Sequence, residues 1–355
     1  MRVLVTGAAG YVGSILLEML QGADAVASIV GIDLKPRPDR LASNTKLTWI
    51  QADVSTDDWQ AAAREHGVDA VVHLAFQIRQ LYGHREATQR RWNVEGARKV
   101  FAFALGEPSV RRLIQFSTVT AYGAQASNSL AEPFRERAAL RERDYLYGSH
   151  KREIEGLLEE AHAASDQRTH VVVLRCASIS GPYGRFALRR FGIVSTLTGL
   201  LPFLPCGRPD FGRQYLHEDD VGAIVAMLLT APAKQGYQVF NASPEDYLTA
   251  DDLAALLRKR TVLLPPTLLR GLFALCWHAS RGRIPTPRAA WKFVTFPIAV
   301  DGSFLTRTYG YRYRFTSADA LMARSGRHLA GVDAPTIAVT ADQPVSMPRP
   351  GARKV

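Results

Sequence analysis

The sequence predicts an α/β fold in which a doubly wound parallel sheet is joined to a smaller C-terminal lobe. Three observations indicate this fold. Short apolar runs alternate with helical patterns as far as about residue 179, and such alternation builds a parallel sheet through right-handed crossovers. A glycine-rich turn follows the first run. With 355 residues, of which 47% are hydrophobic, the chain can bury the large core that this sheet needs.

The glycine-rich turn lies between the first apolar run and a helical pattern. Gly7 permits a sharp turn, Gly10 lets the backbone approach a phosphate group, and Gly13 lets helix and strand pack closely. Strand, glycine turn and helix in this order predict a dinucleotide site. We expect its pyrophosphate at the positive N-terminus of the helix, where Tyr11 and Val12 stand.

The second apolar run, residues 27–32, ends at Asp33, about twenty residues beyond the glycines. An acid at this point accepts hydrogen bonds from the adenosine ribose and repels the 2′-phosphate of NADP, which favours NAD. The alternative for Asp33 is a strand-end turn residue. Lys35 and Arg37 would bind that phosphate only if the loop turned back, and otherwise belong to the solvated surface.

Two more strands are predicted to end at the same edge of the sheet. Residues 47–51 form the third apolar run and residues 70–75 the fourth. The carboxyl ends of the strands line the cofactor crevice in a doubly wound sheet. The candidate cofactor-binding residues at these ends are Asp53, Val54, Leu74, Ala75 and Phe76.

A second motif, in the middle of the chain, predicts proton-transfer chemistry. A helix from Asp144 to about Ala163 would place Tyr147 and Lys151 on one face, since they are four residues apart. We expect the lysine ammonium to lower the pKa of the phenol toward working pH and to hold the nicotinamide ribose. Upstream, an apolar run ends in Ser117 and Thr118, where a hydroxyl is placed to hold a substrate oxygen.

A series of segments follows the order of a known family over the first 245 residues or so. The chain thereby resembles the extended short-chain dehydrogenase/reductases, the NAD-dependent epimerase/dehydratase group that includes the nucleotide-sugar epimerases. The resemblance implies a Rossmann-type sheet. The segments that carry it are Thr6–Gly13, Asp33, Ala52-Asp53, His73-Leu74-Ala75, Asn93–Gly96, Ser117-Thr118 with Tyr122-Gly123, Tyr147–Lys151, Leu174-Arg175 with Gly181-Pro182, and Tyr215–Val221.

The resemblance also implies roles for the candidate residues. Tyr147 would be the catalytic acid/base and Lys151 its electrostatic partner. Thr118, four positions before Tyr122, falls at the family's catalytic Ser or Thr position, and Ser117 is the neighbouring candidate.

By the same resemblance, Asp53 would meet the adenine amino group, and the residues after the fourth strand would line the ribose and pyrophosphate. Asn93 would lie on the central helix near the cofactor, although a buried helix residue is the alternative. His73 is more typical of a hydrogen-bonded core histidine than of a catalytic one.

Two departures bear on the reaction. Val119-Thr120 follows Thr118, so the Asp-Glu pair that sugar dehydratases use for water elimination is absent, which disfavours a dehydratase. Arg213 stands where sugar epimerases often carry an arginine that binds the nucleotide diphosphate, and its guanidinium suits that task. A surface arginine on a basic protein is the alternative.

The composition excludes several other classes. The net charge is +11, but the arginines are scattered, so we expect a solvated basic surface and no nucleic-acid site. Cys176, Cys206 and Cys276 are isolated, which indicates a reducing cytoplasm, no disulfide framework and no metal site. No signal peptide is recognised. The apolar stretch 263–277 falls short of a bilayer span, so we expect no stable membrane insertion.

The predicted domains follow from this organisation. Residues 1–179 and 214–245 form the NAD-binding domain, residues 180–213 and 246–330 the substrate-binding lobe, and residues 331–355 a disordered tail. The apolar stretch 263–277 is interpreted as a helix that packs in the lobe, with a surface helix that touches membrane or a lipid-like ligand as the alternative.

These patterns predict an NAD-dependent oxidoreductase or epimerase that acts on a small molecule, with a nucleotide sugar as the leading candidate substrate. Tyr147 would take a hydroxyl proton held by Thr118, while hydride leaves the same carbon. Return of the hydride to the other face gives epimerisation, and loss of the ketone gives a dehydrogenase. The alternatives are a reductase of a hydrophobic, sterol-like alcohol or ketone, and a non-enzymatic dinucleotide-sensing protein. A homodimer is also considered.

Overall fold

A computed structural model describes residues 1–183, 201–232 and 236–322. The predicted tail at 331–355 and parts of the predicted substrate-binding lobe, residues 184–200 and 323–330, lie outside the described residues. The strands are β1 (Arg2–Thr6), β2 (Ser28–Asp33), β3 (Leu47–Gln51), β4 (Ala70–His73), β5 (Arg112–Thr118), β6 (His170–Cys176), β7 (Ser178–Ser180), β8 (Phe203–Cys206), β9 (Gly212–Arg213), β10 (Tyr215–His217), β11 (Tyr237–Ala242), β12 (Leu248–Thr249) and β13 (Arg260–Leu263).

Helices connect and cover these strands. Single turns of 3-10 helix occupy Asp39–Leu41, Val119–Tyr122 and Ala290–Val294, and Arg91–Glu95 is a π-helical turn. The α-helices are α1 (Tyr11–Gln21), α2 (Gln60–Glu65), α3 (Glu86–Arg90), α4 (Gly96–Gly106), α5 (Leu146–Ala163), α6 (Glu218–Thr230), α7 (Ala250–Leu256), α8 (Pro266–Ala279), α9 (Ser303–Tyr309) and α10 (Ser317–Met322).

The main sheet has seven strands in the order β3-β2-β1-β4-β5-β6-β11, and every neighbouring pair is parallel. The strand order reverses direction between β1 and β4, which makes this the switch point at which α/β sheets bind ligands. The predicted doubly wound parallel sheet is therefore confirmed. The glycine turn after β1 opens directly onto the switch point.

Both faces of the sheet are buried, as a parallel sheet requires. Successive side chains of a strand point to opposite faces, so Val3 and Val5 of β1 join one core cluster, while Leu4 joins the other. The first cluster includes Leu16 of α1 and Ile224 of α6, and the second lies under α4 and α5. Because both of these faces are buried, successive residues of a strand are mostly apolar, and the strands appear in the sequence as continuous apolar runs.

The second half of the chain builds smaller sheets beside the main one. These are the parallel pairs β7–β10 and β8–β13 and the antiparallel pair β9–β12. A reciprocal capping box between Thr249 and Asp252 begins α7. Leu263 of the apolar stretch 263–277 ends β13, and the stretch from Pro266 onward lies in α8, which buries Leu269 and Phe273, as the packing interpretation expects. The division into two domains remains a prediction.

Helix α5 begins two residues later than predicted. The backbone N–H groups of Arg143, Asp144 and Tyr145 donate to the Glu142 carboxylate at 3.0, 2.8 and 2.9 Å. Because one buried acceptor holds three consecutive amides in a turn, the helix starts at Leu146. The negative charge also lies at the positive helix N-terminus, which is favourable.

A buried ion pair fastens α5 to the sheet. The Arg175 guanidinium of β6 donates to Glu155 Oε2 of α5 at 2.7 Å, and both side chains are under a tenth exposed. Arg175 also donates to the Tyr122 hydroxyl at 2.9 Å, and Ser117 donates to the Glu155 carboxylate. The pair thus links α5 with β5, β6 and the turn after β5.

We predict that Arg175→Leu lowers the free energy of unfolding by about 3–5 kcal/mol, because it leaves the Glu155 carboxylate buried without its cation. Arg98→Leu, which removes a half-exposed ion pair with Glu95, is the control and should cost under about 1 kcal/mol. Urea denaturation of the two variants measures both values. Equal small losses would show that the buried pair does not hold α5 in place.

Candidate active site

The predicted catalytic residues come together at the carboxyl end of β5. Thr118 is the last residue of β5, and its hydroxyl shares a hydrogen bond with Tyr147 in the first turn of α5. Lys151, one turn later on the same face, donates from Nζ to the Phe116 carbonyl oxygen at 2.6 Å. The long-range contact is made because the start of α5 packs against the end of β5. Thr118, Tyr147 and Lys151 are called the triad below.

Burial determines the charge state of the triad. It raises the pKa of Tyr147 to about 12, although the hydrogen bond with Thr118 acts to lower it. It lowers the pKa of Lys151 to about 7, an effect that Cys176 and Glu155 only partly offset. The expected lowering of the phenol pKa by Lys151 is therefore wrong for the protein by itself. Both charged forms lose hydration in the same buried site.

Aromatic rings surround Tyr147. The Phe76 ring lies edge-on to it with centroids 5.5 Å apart, and Lys151 Nζ lies 4.2 Å from the Phe76 centroid. Tyr145 lies 6.3 Å from Tyr147 on its other side, and Phe293 lies 4.8 Å from Tyr145. The sequence patterns do not predict Tyr145 or Phe293 as residues of this site. Phe293 is far from the motifs along the chain, and no local pattern points to it.

The glycine turn forms a cradle that side chains would fill. Gly7 has φ +70°, and a Cβ there would lie 2.7 Å from the Ala75 nitrogen. A Cβ on Gly10 would lie 3.0 Å from the Gly7 carbonyl oxygen, and one on Gly13 would overlap that same oxygen. The turn therefore requires glycine at positions 7 and 13 and leaves little room for a side chain at position 10. It leaves backbone N–H groups at the N-terminus of α1 open to a ligand phosphate.

Asp33, the last residue of β2, lies beside this cradle. Its carboxylate accepts hydrogen bonds from the backbone N–H groups of Ala9 at 2.9 Å and Lys35 at 3.0 Å. Each oxygen keeps further acceptor capacity, which suits ribose hydroxyls. The Arg37 guanidinium instead donates to the carbonyl oxygens of Leu41, Ala42 and Asn44. Its donors are thus already engaged away from Asp33.

The other predicted cofactor residues form the rim around the cradle. Asp53 accepts from the amide and hydroxyl of Ser55 at 2.8 and 2.7 Å, and Val54 beside it is buried. Asn93 accepts from the Gln77 backbone N–H at 2.7 Å and donates to the Gln77 carbonyl oxygen at 3.1 Å. Asn93 therefore holds the segment that follows β4.

This segment is also held from β1. Leu74 donates from its backbone N–H to the Thr6 carbonyl oxygen at 3.2 Å, and the Ala75 N–H donates to the Thr6 hydroxyl oxygen at 3.3 Å. The Thr6 hydroxyl also shares a 2.7 Å hydrogen bond with buried His73. Burial, with Lys151 nearby, lowers the pKa of His73 to about 3. The expectation of a hydrogen-bonded core histidine is confirmed.

Two predicted residues direct their side chains elsewhere. Ser117 points to the sheet face opposite Thr118 and donates to Glu155. The Tyr11 hydroxyl donates to buried Glu218, the first residue of α6, so the backbone of Tyr11 is the part that stays in the glycine turn. Only the fold brings Glu218 to Tyr11, which lies more than two hundred residues away.

Arg213 is buried behind the aromatic wall that Tyr145 and Phe293 form beside Tyr147. Its guanidinium donates to the Phe293 carbonyl oxygen and lies 5.3 and 5.5 Å from the ring centroids of Phe211 and Phe293. Burial lowers the pKa of Arg213 to about 10. It is not the surface arginine that the alternative interpretation expects. Phe293 and Tyr145 lie between it and Tyr147.

The described residues contain neither a candidate membrane-spanning helix nor a candidate metal site. Residues 1–183, 201–232 and 236–322 contain no helix with the length and apolarity needed to cross a bilayer. Within the same ranges, no three His, Cys, Asp or Glu side chains are grouped as a metal ion would require.

The parallel sheet and the glycine cradle at its switch point define a Rossmann-type dinucleotide-binding fold. A family model matches residues 3–243, and the chain belongs to the NAD dependent epimerase/dehydratase family. This membership makes it an NAD-dependent enzyme of the epimerase/dehydratase type.

The relatives are distant. An uncharacterized protein of Mycobacterium tuberculosis is 26% identical over 323 residues, which cover 90% of this chain and 81% of that protein. UDP-glucose 4-epimerase of Azospirillum brasilense is 32% identical over 194 residues, about half of each chain (52% and 51%). The structure of UDP-glucuronic acid 4-epimerase from Bacillus cereus, in complex with UDP-glucuronic acid and NAD, has a TM-score of 0.69 and 20% identity over 91% of this chain and 98% of that one. This last likeness shows the fold.

Lys151 makes stability depend on pH. Its folded-state pKa is about 7 and its ordinary value is 10.5, so between these pH values the unfolded chain binds a proton that the folded protein does not. The wild type therefore gains stability from this group as pH rises from 7 to 10. We predict that the unfolding free energy of the wild type rises relative to that of Lys151→Met as the pH increases over this range, because methionine does not titrate. Urea denaturation at several pH values tests this. A constant difference would mean that Lys151 is not desolvated in the folded protein.

Proposed function

We propose that this protein is an NAD-dependent epimerase or oxidoreductase that acts at a carbinol carbon of a nucleotide sugar. One observation carries the proposal: Thr118, Tyr147 and Lys151 come together at the carboxyl end of β5, on the same edge of the sheet as the glycine cradle after β1. Family membership and the matched sugar epimerase of Azospirillum brasilense also support it. We propose that the lobe of residues 180–213 and 246–330 selects the substrate.

The triad supplies the proton chemistry in this proposal. Thr118 holds the substrate oxygen, and Tyr147 removes its proton and returns it at the end of the reaction. Tyr147 must therefore enter this step as the phenolate, its own proton having left to solvent. Once it has taken the substrate proton, its pKa of about 12 makes the phenol keep that proton until it is returned. Lys151, charged when a partner anion is present, would stabilise the phenolate as it forms.

The cofactor fits the residues that are present. The backbone at the N-terminus of α1 would hold the pyrophosphate, Asp33 the adenosine ribose, and Asp53 the adenine. NAD, when bound, would supply the acceptor for the hydride that leaves the substrate carbon. Phe76 lies edge-on to Tyr147, and Asn93 holds the segment after β4 to which Phe76 belongs.

We predict at least a tenfold tighter binding of NADH than of NADPH, about 1.4 kcal/mol, because Asp33 would accept from the ribose hydroxyls and repel the 2′-phosphate. Fluorescence titration measures both affinities. Arg37→Ala should leave the preference unchanged, since its guanidinium is bonded to backbone carbonyls. A preference for NADPH would show that Lys35 governs the site instead.

Tyr147→Phe removes only the phenol oxygen. We predict that turnover falls by roughly a hundred- to ten-thousandfold while NAD binding stays nearly intact. Tyr145→Phe, which removes a neighbouring hydroxyl without touching the triad, is the matched control and should keep most of the activity. Undiminished turnover in Tyr147→Phe would remove this residue from the mechanism.

A second candidate function has structural support. The walls near Tyr147 are aromatic, and the Arg213 guanidinium is already bonded to a backbone carbonyl. A pocket of this kind also suits a hydrophobic alcohol or ketone. In that case the protein would be a reductase or dehydrogenase with the same triad.

The two candidates are separated by a substrate panel. With nucleotide sugars at catalytic NAD, an epimerase interconverts epimers by NMR without accumulating NADH at 340 nm. Arg213→Met keeps the side-chain stem but removes the charge, and for a nucleotide-sugar substrate it should raise KM by roughly thirtyfold, about 2 kcal/mol. Inertness toward every nucleotide sugar, with turnover of a neutral alcohol or ketone, would establish the second candidate.

A further inference from the structure

Helix α8 is apolar on both sides, but only one side is covered. Leu269, Phe273 and Trp277 lie one turn apart and are buried. The outward side exposes a second apolar stripe at the spacing i, i+3, i+4, i+7, which is the spacing of one helix face. We call this stripe the α8 face. It consists of Leu268, Gly271, Leu272 and Leu275 at this spacing, with exposed Ala274 beside them.

Other exposed apolar side chains accompany the α8 face. Leu263 is exposed just upstream of the helix, and Ile78 and Tyr82 are exposed on a loop bound to the end of α8. The Tyr82 ring lies 5.6 Å from that of Trp277, and Arg79 donates to the Gly282 carbonyl oxygen at 2.6 Å. Exposed apolar side chains in such a cluster mark an interaction site.

The segment of sequence that contains the α8 face carries charges of a single sign. Residues 253–300 contain eight Lys or Arg residues and no Asp or Glu. The exposed arginines before, within and after α8 have no carboxylate within ion-pair distance in the described part of the chain. These are Arg258, Arg260, Arg270, Arg281 and Arg283.

We propose that the α8 face docks on an anionic lipid surface, with the helix lying in the plane of the membrane interface. An apolar helical stripe with basic flanks is the arrangement that binds such surfaces. A second copy of this chain fits less well, because a symmetric contact would bring the same arginines together. The helix has 14 residues and so lies on the bilayer without spanning it.

The proposed docking surface lies directly behind the wall of the active site. The buried side of α8 packs on the turn Ala290–Val294, where Phe293 contacts Tyr145 beside Tyr147. A protein docked in this way holds its substrate pocket at the lipid surface. Docking through the α8 face does not depend on which substrate the triad acts on.

Co-sedimentation with lipid vesicles tests the proposal on the full chain. We expect the protein to sediment with vesicles of phosphatidylcholine and phosphatidylserine but not with phosphatidylcholine alone, and to be released by high salt. Arg281→Gln with Arg283→Gln should weaken binding by roughly thirtyfold. Leu272→Gln with Leu275→Gln should weaken it by at least roughly tenfold.

Matched controls separate docking from general effects. Leu34 is 64% exposed, like Leu275 at 65%, and lies elsewhere, so Leu34→Gln should bind as the wild type does. Arg111→Gln with Arg137→Gln removes two exposed charges away from α8 and should also leave binding unchanged. Because all of these side chains are exposed, the variants should keep the wild-type melting temperature.

Three results would overturn the proposal. One is equal binding to both vesicle types. Another is undiminished binding of the α8-face variants. The third is a wild type that ignores vesicles but forms a dimer that Leu272→Gln with Leu275→Gln dissociates, since the α8 face would then join two copies of the chain.

Discussion

The buried ion pair between Glu155 and Arg175 positions the chemistry of this protein. Tyr147, Lys151 and Glu155 follow one another at four-residue steps on α5, so they lie along one face of the helix. Fixing the carboxylate on β6 therefore fixes Lys151 one turn earlier and Tyr147 two turns earlier. Phe116 and Thr118 of β5 then lie within hydrogen-bond reach of these two side chains.

The same burial that orders the triad also favours the uncharged forms of Tyr147 and Lys151. A desolvated lysine loses its proton more easily and a desolvated tyrosine keeps its proton, and both effects come from the low polarity around α5 and β5. The charged form of Lys151 or Tyr147 becomes more favourable when a ligand of opposite charge binds nearby. The glycine cradle is instead built from backbone, so its capacity to bind an anion does not depend on pH.

The lobe that carries α8 joins the active site to a basic apolar surface. One side of the helix supports the aromatic wall near Tyr147, and the other side is the α8 face. In the two proposals made above, substrate selection and surface docking share one short helix. Changes on its inner side would alter the pocket, whereas changes on its outer side leave the packing of Phe273 and Leu269 intact.

Local patterns in the sequence determined the features that depend on near neighbours. The glycine turn, the buried strands and the four-residue spacing of Tyr147 and Lys151 are set by backbone geometry over a few residues, and all were predictable. The start of α5 was placed two residues early, because the carboxylate of Glu142 holds the preceding turn. Val3, Leu4 and Val5 could be assigned to a strand, but the core that each one joins follows from the helices that pack on either side.

Only the tertiary structure decided the partners that lie far apart along the chain. It brings Ser117 to Glu155, Tyr11 to Glu218 and Arg213 to Phe293. It also buries the Tyr147 phenol, and this desolvation raises the pKa that Lys151 was expected to lower. It also decides which side of α8 faces solvent. Desolvation and contact depend on everything that packs around a group, and a sequence pattern records only the neighbours along the chain.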